Sequence, residues 1–218
     1  MGTITRNFAN NLTTSGLLKP TAFNNDSFDN VTAVPSGSVE TGDMQFISSA
    51  TASASASIEF TSGIDSTYKE YVFYFVNIHP ANNGIALKFN LSTDGGSNYN
   101  VTKTSSIFSC YHNEADNDNA LLYQGSQDLA QSTGDAYLGL QTSNDNDGNT
   151  VGTLRLFNPS SSTFVKHWIS DINDHGFDYS VRMMGAGYAN TTSPVNAIKF
   201  KTSSGNIDSG EILLFGIN

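Results

Sequence analysis

Residues 68–80 read "YKEYVFYFVNIHP". Tyr71, Phe73 and Phe75 fall on one side of an alternation, and Val72, Tyr74, Val76 and Ile78 on the other. Aromatic and β-branched side chains pack well on a pleated surface but lose χ1 freedom in a helix. The run is short, and it stops at Pro80, whose nitrogen has no hydrogen for a ladder bond. A strand apolar on both sides predicts a central position covered from both sides.

The same period of two begins at Met44. In "ATASASASIEF" (50–60), Ala50, Ala52, Ala54, Ala56, Ile58 and Phe60 alternate with hydroxyls and Glu59. This predicts one half-buried strand, with small side chains where a facing layer comes close. "IALKFNLS" sends Ile85, Leu87, Phe89 and Leu91 to one face. "YNVTKTSSIFSCY", "ALLYQ", "AYLGLQT", "TVGTLRLFNP", "TFVKHWIS", "VRMMGAGYA", "NAIKFKT" and "GEILLFGI" complete ten to twelve strand candidates, separated by turns such as "NPSSS" and "NTTSP". No amphipathic helical pattern lies between them. The expected class is therefore all-β: an antiparallel β-sandwich, jelly-roll-like, of about ten strands.

Residues 1–40 differ. Ile4, Phe8, Leu12, Leu17, Leu18, Phe23 and Phe28 are spaced without period among polar residues, with Gly16, Pro20, Pro35 and Gly37 between them. Such a segment cannot bury enough surface alone to offset its ordering entropy, yet it is too apolar for a solvated linker. It is expected to be an extended assembly arm, preceding a sandwich domain over residues 41–218. Phe8, Leu12, Leu17 and Leu18 are its anchors on another surface.

Ten basic residues against twenty acidic ones give a formal charge of −10. That balance repels phosphate backbones and argues against nucleic acid as a partner. No apolar run approaches the ~20 residues of a membrane span, and the first residues carry no apolar stretch of a secretory signal. Cys110 stands alone, so no internal disulfide forms.

The stretch "STDGGSNY" (92–99) resembles an Asp-box, with Ser92, Asp94, Gly96 and Tyr99 at the motif's spacing. There the acid accepts backbone N–H bonds and pins a hairpin turn. Asp145, Asp147 and Asn149 alternate as calcium ligands would, but Thr150 and Leu156 stand where an EF-hand needs Gly and Glu. The histidines 79, 112, 167 and 175 are scattered, no Gly-X-Ser-X-Gly elbow occurs, and no carboxylate pair is singled out. No catalytic, cofactor or metal residues are expected. Tyrosines near Asn and Asp, above all Tyr111, Tyr123 and Tyr188, are candidates for stacking on a glycan from loops. Trp168, in mid-strand, is expected in the core.

Six stretches carry a wider resemblance: "TITRNFANN", "SASIEFTSGIDSTYKEYVFYFVNIHPANNG", "FNLSTDGGSNYNVTKTS", "DLAQSTG", "LFNPSSSTFVKHWIS" and "YANTTSPVNAIKFKTSSGNIDSGEILLFGI". Together they span almost the whole chain and resemble virion structural proteins of marine tailed bacteriophages. The resemblance implies a virion component with no catalytic residues to carry over. Its partners would be other capsid or tail proteins and copies of itself in a homo-oligomer, a trimer being one arrangement. No coiled-coil heptads or repeats precede the sandwich, as a fibre shaft would require. A decoration or appendage subunit clamped on the particle by its arm is the first expectation. A receptor-binding module at a fibre tip, reading host surface glycans, is the alternative.

Overall fold

The computed structural model describes residues 44–218; the expected arm, with Phe8, Leu12, Leu17 and Leu18, lies outside the described residues. Twelve strands follow: β1 (Met44–Thr51), β2 (Ile58–Phe60), β3 (Glu70–Pro80), β4 (Leu87–Ser92), β5 (Lys103–Asn113), β6 (Asn119–Tyr123), β7 (Ala136–Tyr137), β8 (Thr150–Phe157), β9 (Lys166–Gly176), β10 (Tyr179–Ala189), β11 (Ala197–Thr202) and β12 (Ile207–Ile217). There is no helix among the described residues. The strands form a sandwich of two antiparallel sheets, one ordered β1-β12-β3-β8-β9-β10-β5-β6 and the other β2-β11-β4-β7.

The core lies between the sheets. Tyr71, Phe73 and Phe75 of β3, Trp168 of β9 and Leu154 of β8 are buried, as are Leu87, Phe89 and Leu91 of β4 and Phe200 of β11. Aromatic edges join the layers: Phe200 meets Phe73 and Phe75 at ring centroids of 5.2 Å, and Phe89 meets Trp168 at 5.1 Å. Each such side chain, fully buried, contributes about 1.5–3 kcal/mol. Trp168 takes its expected core position because Gly187, its cross-strand partner, leaves room. A Cβ on Gly187 would lie 2.6 Å from the indole ring.

Three expectations are corrected. The stretch 50–60 is two strands: β1 ends at Thr51, Ala54 takes a positive φ of 49°, and the chain crosses to the other sheet before β2 begins. Alternation continues through the crossing, so periodicity cannot mark it. Next, β3 is covered fully on one face only. Tyr74 is half-buried and Val76 is 41% exposed on the outer face. A bulge at Asn77 (φ 50°) then shifts the phase, so Ile78 joins the core rather than the outer row. Gly210 of β12 permits the bulge, since a Cβ there would sit 2.5 Å from the Asn77 carbonyl oxygen.

Finally, the turn at 92–99 is real but does not close a hairpin. Asp94 Oδ1 accepts from Ser92 Oγ (2.7 Å) and the Asn98 N–H (2.8 Å), while Oδ2 accepts from Asn98 Nδ2 (2.7 Å). Bonds from Asn98 and Ser92 hold the Asp94 carboxyl at a pKa of about 2. The strands on either side belong to different sheets, β4 to the smaller and β5 to the larger. The motif therefore pins an arch between layers.

Candidate functional site

Strand register sets three rows across the outer face of the larger sheet. Thr104 (β5), Tyr188 (β10) and His167 (β9) form one, Ser106, Ala186 and Ile169 the next, and Phe108, Met184 and Asp171 the third. The small side chains of Ser106 and Ala186 leave a trough between taller rows. The result is a groove of about 560 Å³ whose lining includes Thr104, Ser106, Phe157, His167, Ile169, Ala186 and Tyr188. The rings of His167 and Tyr188 stand 6.1 Å apart and tilted at 53°. At the β5–β10 end, Gln131 donates from Nε2 to Thr104 Oγ1 (2.8 Å) and accepts at Oε1 from Asn190 Nδ2 (2.8 Å).

Formal charge stays at the margins. Arg182 grips Asp171 through two bonds of 2.8 and 2.6 Å, which holds the Asp171 carboxyl below its usual range. Arg155 pairs with Glu70. No Asp, Glu, Lys or Arg lines the groove itself. The arrangement can bind a neutral ligand through aromatic faces and hydroxyls, and its lining offers no carboxylate for acid–base work.

A second, smaller cavity of about 330 Å³ lies beside the β5–β6 edge, lined by Tyr111, Asp118, Leu122, Gln124, Leu140, Gln141, Tyr179 and Val181. Tyr111 and Tyr179 meet edge to face at 5.7 Å, and Tyr179 donates to Asp118 at 2.8 Å.

The expected glycan tyrosines are therefore neither on loops nor together. Tyr111 (β5), Tyr123 (β6) and Tyr188 (β10) all lie on strands. Tyr188 lines the groove and Tyr111 the smaller cavity. Tyr123 stands on the edge strand, 62% exposed, donating to Asp128 at 2.5 Å. Asp145 and Asp147 are exposed, and among the described residues no three His, Cys, Asp or Glu side chains gather as a metal set. His79 donates from Nδ1 to the Gly148 carbonyl at 2.6 Å and so ties that loop to β3. Cys110 is half-buried on the outer face of β5.

Buried polar anchors behind these surfaces escape a reading by residue type. Lys103, fully buried, donates to Asn90 Oδ1 (2.5 Å) and the Val101 carbonyl (2.6 Å). Burial lowers its pKa to about 8, with Asp135 opposing in part. Lys166, also fully buried, donates to the carbonyls of Ser161 (2.6 Å), Phe164 (2.9 Å) and Thr191 (3.1 Å), tying two loops together. Asp174 accepts from the Leu140 N–H (2.6 Å), the Gln141 N–H (3.3 Å) and Thr150 Oγ1 (2.7 Å), and burial raises its pKa. It thereby sets the segment that supplies Leu140 and Gln141 to the smaller cavity. Comparison of the chain with protein-family models, curated proteins and solved structures finds no match in any of the three.

Proposed function

We propose that this chain is a non-enzymatic structural subunit of a phage virion, a decoration or appendage protein on the capsid or tail surface. The arm of residues 1–40 holds it there, and the sandwich projects outward. The observation that carries this reading is the strand order. β1-β12-β3-β8 faces β2-β11-β4-β7, with β9, β10, β5 and β6 widening one sheet, an arrangement we read as jelly-roll-like. Jelly rolls build viral capsid and lectin domains. That is an analogy of fold, and fold alone does not fix function. A patch on the same outer face adds support. Phe46 and Phe215 stack edge to face at 5.5 Å, as do Phe215 and Tyr74, and Met44 Sδ lies 3.9 Å from the Tyr74 hydroxyl. Phe46 is 59% exposed, and contiguous apolar surface of this kind suits protein contact.

The test is incorporation into particles. Full-length chain with Phe8, Leu12, Leu17 and Leu18 replaced by Asp is expected to fold but to be missing from purified virions. Normal copy number of this variant would remove the arm from the account. The groove favours a second reading, a module that binds a neutral host glycan through Tyr188 and His167. Under it, purified chain binds host polysaccharide saturably and Tyr188→Ala abolishes binding. Absence of saturable binding by the native chain would end that reading.

A further inference from the structure

β6 is the last strand of the larger sheet, and among the described residues no strand pairs with its far side. Its ladder with β5 has a fixed phase. The Gln124 N–H donates to the Ile107 carbonyl, and the Asn113 N–H to the Asp118 carbonyl. With Cys110 opposite Leu121, Ala120 and Leu122 turn their backbone groups toward β5. Asn119, Leu121 and Tyr123 turn theirs to the open edge. The side chains are as unguarded as the backbone: Leu121 is 69% exposed, Leu122 44% and Tyr123 62%. Proteins blunt such edges with lysine, proline or a bulge. The sequence Asn119–Tyr123 has neither residue type, and its pairing with β5 is regular. The opposite edge strand, β1, is broken by a bulge between Phe46 and Ser48.

We propose that β6 is a dimer edge, pairing antiparallel with β6 of a second copy about a two-fold axis at Leu121. Only residues whose backbone groups face outward can bond across the edge, so Leu121 pairs with itself and Asn119 with the partner subunit's Tyr123. Each pair exchanges two N–H···O bonds. The same register sets Ala120 against the partner subunit's Leu122, small against large, on the opposite face. It also places Asp118 against Gln124, whereas a parallel pairing would bring Asp118 against its own copy and cost like-charge repulsion. The contact is self-complementary, as a two-fold requires. The proposal does not depend on the virion reading, because it concerns the purified chain.

Sedimentation equilibrium of the full-length chain over a wide dilution series tests it. The expected result is a mass twice that of one chain. Leu121→Pro removes an outward N–H that β5 does not use, and Leu121→Lys sets two ammonium groups face to face. Each is expected to weaken association by roughly tenfold to a hundredfold, with an unchanged β-sheet circular dichroism spectrum. A monomer at all concentrations, a trimer, or a dimer indifferent to both substitutions would overturn the proposal. If neither variant folds, amide exchange of the native chain decides: Leu121 and Tyr123 amides must be protected when it is concentrated and exchange rapidly when it is dilute. Rapid exchange in the concentrated sample would overturn the proposal as well.

Discussion

Lys103 places an ammonium group in the core, and its protonation is tied to folding. Burial lowers its pKa from 10.5 to about 8, so the unfolded chain holds the proton more tightly than the folded one. Between about pH 8 and 10.5 the unfolded state binds more protons, and stability rises with pH. At ~1.4 kcal/mol per pKa unit, the rise from this group is on the order of 3 kcal/mol. Lys103→Met is expected to flatten it in urea denaturation curves taken across that range. Asp94 has the same sign at the acid end of the scale, where ionisation favours the fold rather than opposing it. Its carboxyl titrates at about 2 in the fold against 3.8 unperturbed, so its contribution is complete above pH 4 and is lost as pH falls toward 2. Asp94→Ala should remove that acid-side loss and loosen the arch between β4 and β5, seen as faster amide exchange at Asn98.

Trp168 and the Asp94 turn follow from local pattern. Lys103, Lys166 and Asp174 do not stand out by residue type, because charged residues are normally solvated. Yet Lys103 falls in phase with Val101 and Ile107, and Lys166 and Asp174 fall in phase with Trp168 and Ile172. A charge on the apolar phase of a strand is the signal that finds such anchors.

At the scale of elements, the sheets are joined by close fits that single substitutions can spoil. Phe200 meets Phe73 and Phe75 across the layers and Phe60 within its own sheet. Phe200→Ala is expected to cost about 3–5 kcal/mol in equilibrium unfolding. Gly187→Ala drives a methyl group into the Trp168 ring. The cost should be about 1–3 kcal/mol, with a perturbed near-UV signal from the only tryptophan. Strand existence was readable from alternation. Sheet membership was not, because a change of sheet at Ala54 leaves the period of two intact, and the turn between β4 and β5 has the same sequence signature whether it closes a hairpin or an arch. For the same reason tyrosines assigned to loops proved to stand on strands, where they divide between two faces and an edge.

For the whole molecule, the strand order, the exposed patch around Phe46 and the β6 edge, unpaired among the described residues, are the features on which the proposed contact role rests. The net charge of −10 is expected to make any self-association strengthen with added salt, as repulsion between copies is screened. None of the outer-face features was visible in sequence as a surface. The groove needs the register of β5, β10 and β9, and small residues such as Ser106 and Ala186 announce nothing alone. Cryo-electron microscopy of purified phage particles tests the proposed virion role most directly. The account predicts the two-sheet body projecting from the capsid or tail, with residues 1–40 packed into a neighbouring subunit. A purified, infectious particle that lacks the chain would contradict it.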